Sequence, residues 1–162
     1  MKPRELIVKV ADWAADRADA VIVTLGLGSC VAIMLYDPEA KVGGMAHVLL
    51  PSKSLAHDAD NPAKFPETAV PLLTARLGAL GADRRRLIAK LAGGASMFAS
   101  LMTPGTLQMG ERNIVAARNA LRLAAIPIQR EAVGGERGRS VRFHVKDGRV
   151  EIRSVGEHAD VI

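Results

Sequence analysis

The strongest constraint on the fold of this chain is a hairpin pattern in residues 31–51. Two apolar segments rich in β-branched residues, VAIMLYD (31–37) and VGGMAHVLLP (42–51), lie on either side of a short polar connection. Segments of this kind favour β-strands, and Pro38 has the backbone angle that the first corner of a tight turn requires. The sequence therefore predicts two antiparallel strands joined by a turn.

The rest of the chain supplies further strands and two helices. A second hairpin is predicted over 140–155, where an Asp-Gly pair marks the turn. Apolar residues at helical spacing predict one helix over 65–82 and another over 111–125. Pro71 is expected to kink or restart the first of these helices. Single strands are predicted over 5–10, 20–25, 86–95 and 126–133.

These elements indicate one layered α+β domain. Strands outnumber helices, and we find neither a linker between two halves nor an internal repeat, in a chain whose 162 residues suit one domain. We expect the domain to cover residues 1–155. The last residues, 156–162, are expected to form a flexible C-terminal tail.

Composition excludes several protein classes. Hydrophobic residues make up 49% of the chain and charged residues 24%, which is compatible with a packed core and incompatible with global disorder. A single cysteine rules out an intrachain disulfide and fits a reducing compartment. The first 21 residues carry acids where a signal peptide needs an apolar run, and no uncharged apolar stretch approaches ~20 residues. We therefore expect a cytoplasmic protein without membrane insertion.

Charge and histidine spacing argue against nucleic-acid and metal partners. The net charge is +5, but the only tight basic run is 84–86, which is typical of a solvated turn, and no aromatic-rich basic stretch accompanies it. His57, His144 and His158 have no metal-ligand spacing. We therefore expect no nucleic-acid partner, no metal ion and no cofactor.

The single cysteine, Cys30, ends the segment TLGLGSC (24–30). A thiol is a good nucleophile only as a thiolate, which requires a nearby base or a field of backbone N–H dipoles. If Asp37 pairs with Ala40 across the predicted turn, Cys30 lies directly opposite His47, with Cβ atoms about 4.5–5.5 Å apart. A one-residue shift in register would place the two side chains on opposite faces of the sheet.

The neighbours of this pair allow either chemistry or ordinary packing. His47 is a base beside Cys30 or a core histidine of a buried strand. Gly28 and Ser29 expose backbone N–H groups to an oxyanion, or simply turn the chain between strands. Thr24 accepts or relays a hydrogen bond from His47, or is a β-branched strand residue. Spacing alone leaves these alternatives open.

Five blocks of the sequence resemble the CheD family, the chemoreceptor glutamine deamidases of bacterial chemotaxis. The blocks follow one another in the family's order across about residues 20–150, and this order makes the resemblance specific. They are TLGLGSC (24–30), GGMAHVLLP (43–51), AKLAGGASMF (89–98), MGERN (109–113) and GGERGRSVRF (134–143).

The resemblance implies a fold, an activity and a site. The implied fold is a single-domain α/β sandwich with mixed and antiparallel sheets, and the implied activity converts receptor glutamines to glutamates by thiol acyl transfer. Cys30 would be the nucleophile, His47 the base and Thr24 its assistant, with N–H groups near Gly28 and Ser29 holding the oxyanion. No cofactor is implied.

The implied partners are the cytoplasmic domain of a chemoreceptor and, in some members, a CheC-like phosphatase of the response regulator. The protein would then work in the cytoplasm at chemoreceptor arrays. An alternative function is a non-catalytic adaptor that binds and stimulates the phosphatase. The adaptor would need neither Cys30 nor His47, so this pair separates the two hypotheses.

Overall fold

Two five-stranded sheets and two α-helices make up the part of the chain that the computed structural model describes, which is residues 2–97, 101, 108–154 and 156–162. In chain order the elements are β1 (Arg4–Ile7), β2 (Trp13–Arg17), β3 (Ala20–Leu27), β4 (Val31–Asp37), β5 (Val42–Val48), α1 (Pro66–Ala79), β6 (Ile88–Gly93), α2 (Met109–Leu123), β7 (Ile128–Val133), β8 (Arg139–His144), β9 (Val150–Ser154) and β10 (Asp160–Val161).

The strands form two mixed sheets. The first sheet has the order β1-β3-β8-β9-β10, and the second has the order β2-β5-β4-β6-β7. The pairs β1–β3 and β6–β7 are parallel, and the other neighbours are antiparallel. One core lies between the two sheets, and a second lies between the second sheet and the helices. The prediction of one α+β domain with mixed and antiparallel sheets is confirmed.

The central strand β4 is buried on both faces. Val31, Ile33 and Leu35 pack in the core that the helices cover, whereas Ala32 and Met34 pack in the core between the sheets. Successive side chains of a strand point to opposite faces, so a strand covered on both sides must be apolar at every position. This explains why apolar and polar residues do not alternate along VAIMLYD (31–37).

The turn after β4 is longer than predicted. Asp37 pairs with Val42, not with Ala40, because four residues connect the strands. The Asp37 carboxylate accepts hydrogen bonds from the backbone N–H groups of Glu39 and Ala40, both at 3.0 Å, and Lys41 closes the turn at a φ of 54°. The predicted pairing of Cys30 with His47 is therefore wrong by two residues.

The true cross-strand partner of His47 is Ala32. Because side chains alternate along a strand, a shift of two residues keeps each side chain on its predicted face. Cys30 and His47 therefore still face the same side of the second sheet, as diagonal neighbours instead of a directly opposed pair.

The structure differs from the sequence prediction at two further places. Strand β2, Trp13–Arg17, was not predicted, because its sequence WAADR contains none of the β-branched residues of a typical strand. The predicted flexible tail instead contains β10, which pairs with β9, and Ile162 exchanges backbone hydrogen bonds with Val150. Ile162 is pinned because its side chain joins the core between the sheets.

Helix α1 passes through Pro71 without interruption. A proline inside a helix removes the hydrogen bond to the carbonyl four residues earlier, which here belongs to Glu67 in the first turn. Only one bond is lost, while Val70, Leu73 and Leu77 bury the predicted apolar face. The expected restart at Pro71 does not occur, because the packing of this face holds both parts of the helix against the sheet.

Candidate active site

Cys30 lies just before β4, at the end of a short connection that we name the thiol loop (residues 28–30). The residue is only 8% exposed and belongs to the core between the sheets. Its carbonyl oxygen accepts a hydrogen bond from the N–H of Gly94 at 2.8 Å. A Cβ atom on Gly93 would lie 2.3 Å from this oxygen. The glycine pair at the end of β6 therefore permits the close approach that supports the thiol loop.

His47 lies on β5 and is completely buried. Its backbone is held on both sides, because its N–H donates to Asp12 O at 3.0 Å and its carbonyl accepts from Ala11 N–H at 2.8 Å. Ala46 and Val48 face the helices, so the imidazole faces the first sheet, as does the Cys30 side chain. The two sequence-predicted residues thus share one face of the second sheet.

Thr24 comes from the opposite sheet, on β3, and meets His47 across the sandwich. Its hydroxyl oxygen lies 2.7 Å from Nδ1 of His47 and 2.7 Å from the carbonyl oxygen of Val8. A hydroxyl has one proton to donate, and the Val8 carbonyl can only accept it. Nδ1 must therefore carry a proton and donate to Thr24. The hydrogen bond that the sequence left open is present.

This arrangement fixes the tautomer of His47. With the proton on Nδ1, the lone pair lies on Nε2, which is buried and has no hydrogen-bond partner among the described residues. A buried nitrogen without a partner is unusual in folded proteins. The structure thus holds a neutral imidazole whose free lone pair can accept a proton.

Burial controls the protonation of both groups. It lowers the pKa of His47 to about 4, so the imidazole is neutral at physiological pH. Burial also raises the pKa of the Cys30 thiol, an effect that its own backbone N–H partly offsets. The resting pair is therefore a neutral thiol and a neutral base.

Gly28 and Ser29 precede the thiol in the thiol loop and are half-buried. The carbonyl of Gly28 accepts a hydrogen bond from the N–H of Ala95 at 2.8 Å, and a Cβ on Gly28 would lie 3.2 Å from the sulfur of Met97. The loop is therefore packed closely against the segment after β6. Phe98, which ends one of the family-like blocks, lies outside the described residues.

The other histidines stay apart from this site. His144 bonds through Nε2 to Glu151 at 2.9 Å, and His57 and His158 are exposed. Within the part of the chain that the structure describes, no group of three or more His, Cys, Asp or Glu side chains is placed to hold a metal ion. None of the described helices is both long and apolar enough to cross a membrane.

Comparison with known proteins connects this site to a family. Residues 49–154 match the family model described as CheD chemotactic sensory transduction. The chain is 44% identical over 163 residues to a protein of Moorella thermoacetica, covering 100% of this chain and 98% of the relative. It is 40% identical over 156 residues to a protein of Caldanaerobacter subterraneus, covering 96% of each. Both relatives are named probable chemoreceptor glutamine deamidase CheD. The chain belongs to the CheD family.

A solved structure outside the CheD family shares the fold. A Neisseria meningitidis protein of family DUF152 aligns with a TM-score of 0.51 at 11% identity, covering 90% of this chain and 71% of the other. At this identity the likeness concerns the fold alone. It supports the two-sheet architecture of the CheD chain.

Two polar residues of the CheD chain contact the site, and sequence reasoning placed neither of them there. Asn113 is fully buried on α2, and its Nδ2 donates to the carbonyl of Ser29 at 2.8 Å. Arg139 donates to the carbonyls of Gly93 and Gly134, so it braces the end of β6. A usable signal existed for Asn113, since it lies four residues before the buried Ala117 and therefore on the apolar face of α2.

Proposed function

We propose that this CheD family member is a hydrolase that converts glutamine side chains of chemoreceptors to glutamate with release of ammonia. The names of its relatives support the substrate class. The observation that carries the proposal is the state of His47, whose Nδ1 bonds to Thr24 while Nε2 is left free on the face shared with Cys30. A core histidine would be expected to satisfy both nitrogens.

The first half of the reaction forms a thioester. His47 Nε2 accepts the proton of the Cys30 thiol, and the thiolate attacks the side-chain carbonyl carbon of the substrate glutamine. The carbonyl oxygen becomes an oxyanion, which backbone N–H groups near Gly28 and Ser29 stabilise. The protonated imidazole then gives its proton to the leaving nitrogen, so that ammonia departs and an acyl-thioester remains.

The second half regenerates the enzyme. A water molecule gives a proton to Nε2 of His47 and attacks the thioester carbonyl, and collapse of the second oxyanion expels the Cys30 thiolate. The proton on His47 returns to the sulfur, and the product is glutamate. Thr24 keeps Nδ1 protonated throughout, so that Nε2 is the nitrogen that exchanges protons. The reaction needs neither a metal ion nor a cofactor.

The chemistry suits adaptation in chemotaxis. Each turnover replaces a neutral side chain with a negative one on a helical receptor bundle. Charged pairs on a helix surface contribute about 0.2–0.5 kcal/mol each, which is enough to bias a signalling equilibrium that lies near balance. A substrate of this kind leads us to propose that the protein works in the cytoplasm, at chemoreceptor arrays.

The decisive experiment is peptide mass spectrometry of a purified chemoreceptor cytoplasmic fragment incubated with this protein. Wild type is expected to convert specific glutamines to glutamates, and Cys30→Ala is expected to abolish the conversion while keeping the same melting temperature within a few degrees. Conversion by Cys30→Ala at the wild-type rate would contradict the assignment of the nucleophile.

The alternative is an adaptor that binds a CheC-type phosphatase without catalysis. Binding of this kind requires neither Cys30 nor His47. No conversion by wild type, together with capture of purified phosphatase by both wild type and Cys30→Ala, would favour the adaptor over the enzyme.

A further inference from the structure

Three consecutive carbonyl oxygens of the thiol loop are held by donors from outside the loop. The oxygens of Gly28 and Cys30 each accept a backbone hydrogen bond, at 2.8 Å, from the segment 94–95. The oxygen between them, on Ser29, accepts instead from the side chain of Asn113, also at 2.8 Å. The Asn113 bond is therefore the one of the three that a substitution can remove.

The orientation of the Asn113 amide is determined by its partners. Nδ2 donates to the carbonyl of Ser29 and, at 3.1 Å, to the carbonyl of Leu49. Both partners can only accept, so the NH₂ group must point toward them. The other end, Oδ1, is buried and has no hydrogen-bond partner among the described residues. A buried acceptor without a partner lowers stability, so α2 keeps an asparagine here at a cost to stability.

The contact with Ser29 also determines the orientation of the N–H of Cys30. The C=O of Ser29 and the N–H of Cys30 belong to the same rigid, planar peptide group and point in opposite directions. Fixing the C=O therefore fixes the direction of the N–H. That N–H lies beside the thiol of its own residue, where it favours the thiolate. In serine proteases the N–H of the nucleophilic residue is one of the oxyanion donors.

We propose that Asn113 is a positioning residue that aims the Cys30 N–H at the oxyanion of the tetrahedral intermediate. The inference rests on the thiol acyl transfer proposed above. Asn113 itself touches neither the substrate nor the thiol; it acts through the Ser29–Cys30 peptide.

The base keeps its own contacts without Asn113, whose second bond ends at Leu49, two residues beyond His47. The N–H and C=O of His47 are bonded to the segment 11–12, and its ring is bonded to Thr24. Because the Cys30 N–H has a smaller influence on the thiol pKa than burial has, loss of the Asn113 side chain should weaken the stabilisation of an oxyanion much more than proton transfer from Cys30. Two reagents separate these steps. Iodoacetamide alkylates a thiolate by displacement of iodide and forms no oxyanion, whereas p-nitrophenyl acetate acylates it through a tetrahedral oxyanion, with loss of p-nitrophenolate.

The experiment measures both rates at Cys30 by intact-protein mass spectrometry, with Cys30→Ala as the blank. Asn113→Ala is expected to slow acylation about 10- to 100-fold, since one oxyanion donor contributes up to 10²–10³ in rate, and to leave alkylation within about threefold of wild type. The kcat for deamidation should fall with acylation, with little change in KM. Asn119→Ala, the same change at an exposed position of α2, should match wild type in all three measurements.

Acylation by Asn113→Ala within threefold of wild type, or an equal loss of acylation and alkylation, would overturn the proposal. If Asn113→Ala does not fold, Asn113→Leu replaces it, because leucine has the same branched shape, leaves no cavity and has no hydrogen-bond donor. Failure of both variants to fold would assign Asn113 a purely structural role and would also contradict the proposal.

The outcome separates this inference from the proposed function. If the Asn113 variants show the expected split at Cys30 while wild type leaves a folded receptor fragment unmodified, the deamidase function fails and the positioning role stands. Wild-type protein that p-nitrophenyl acetate does not acylate at Cys30 would contradict both.

Discussion

The hydroxyl oxygen of Thr24 lies 2.7 Å from Nδ1 of His47 on the opposite sheet, and its O–H donates a hydrogen bond to the carbonyl of Val8. This chain of two hydrogen bonds determines which imidazole nitrogen is free. It makes Thr24 a residue whose effect on activity should exceed its effect on stability.

Replacement of Thr24 by valine tests this relationship. Thr24→Val removes the acceptor for Nδ1–H, so the buried imidazole no longer favours the tautomer with a free Nε2. We expect kcat for deamidation to fall about 100-fold, because general-base catalysis typically contributes 10²–10⁴. Thr24→Ser keeps the hydroxyl and should retain activity within about fivefold of wild type. Equal activities of the valine and serine variants would show that the hydroxyl does not orient the base.

Burial of His47 predicts a loss of stability on mild acidification. Its pKa is about 4 in the folded state, against about 6.5 in an unfolded chain. Between these values the unfolded state binds more protons, so this contribution to stability is present above pH 6.5 and is lost as the pH falls toward 4. From pH 7 to pH 5 the free energy of unfolding should decrease by about 2 kcal/mol through this residue.

Urea unfolding at pH 7 and at pH 5 measures the effect. His47→Asn serves as the matched variant, because it keeps an N–H for Thr24 and does not titrate. The difference between wild type and variant removes the contributions of all other groups. A wild-type loss no larger than that of His47→Asn would contradict a neutral, buried His47.

Gly93 should be required for more than its backbone angle. Gly93 and Gly81 both adopt a φ of +105°, but a Cβ on Gly93 would lie 2.3 Å from the carbonyl oxygen of Cys30, whereas a Cβ on Gly81 meets nothing within 4 Å. Gly81→Ala should therefore show only the backbone strain of about 1–3 kcal/mol. Gly93→Ala should be less stable still and should lose most of its activity, since Cys30 must move.

Thermal unfolding and the deamidation rate distinguish the two glycine variants. The comparison is informative because the substitution and the backbone angle are the same in both. Similar melting temperatures with full activity in both variants would indicate that the thiol loop shifts without consequence.

The basic run 84–86 was interpreted as a solvated turn, but Arg86 in this run forms an ion pair with the buried carboxylate of Asp37. Burial alone would raise the pKa of Asp37, but hydrogen bonds from Arg86 and from three backbone N–H groups lower it to about 2. The Asp37 side chain is fully buried, while Arg85 is 89% exposed and pairs with Asp83 at the surface. Arg86→Leu should lower Tm by about 5–10 °C, because it leaves a buried carboxylate without its cation.

Arg85→Leu is the matched control in the same run. Its loss removes only an exposed pair, which contributes little, so its Tm should stay within about 2 °C of wild type. Equal shifts for Arg85→Leu and Arg86→Leu would contradict a special role for the buried carboxylate.

The sequence was sufficient to predict which face Cys30 and His47 share, although it placed their pairing two residues out. The error arose at the turn, where the Asp37 carboxylate binds two backbone N–H groups and holds a longer loop than Pro38 suggested. Because side chains alternate between the two faces of a strand, a register error of two residues keeps each side chain on its predicted face, whereas an error of one residue moves it to the opposite face. The turn length was therefore the decisive unknown.

Contacts between distant elements were harder to predict. Thr24 contacts His47 only because the two sheets stack. No repeating pattern of residues in the sequence indicates which side chains will meet when two sheets stack. Asn113 was visible only as a polar residue on an apolar helix face, and its partner Ser29 lies 84 positions earlier. Strand β2 was missed because its pairing with β5, and not its own propensity, makes it a strand.

The placement of the three candidate catalytic residues on two sheets ties reactivity to the completion of folding. Thr24 belongs to one sheet and His47 to the other, and Cys30 lies in the loop that leads into β4 of the second sheet. A chain in which the sheets have formed but not yet docked has a thiol and an imidazole without an oriented proton acceptor. We therefore expect the general base that the proposed reaction needs to be oriented only once the two sheets have docked, so that deamidation arises with the last step of folding.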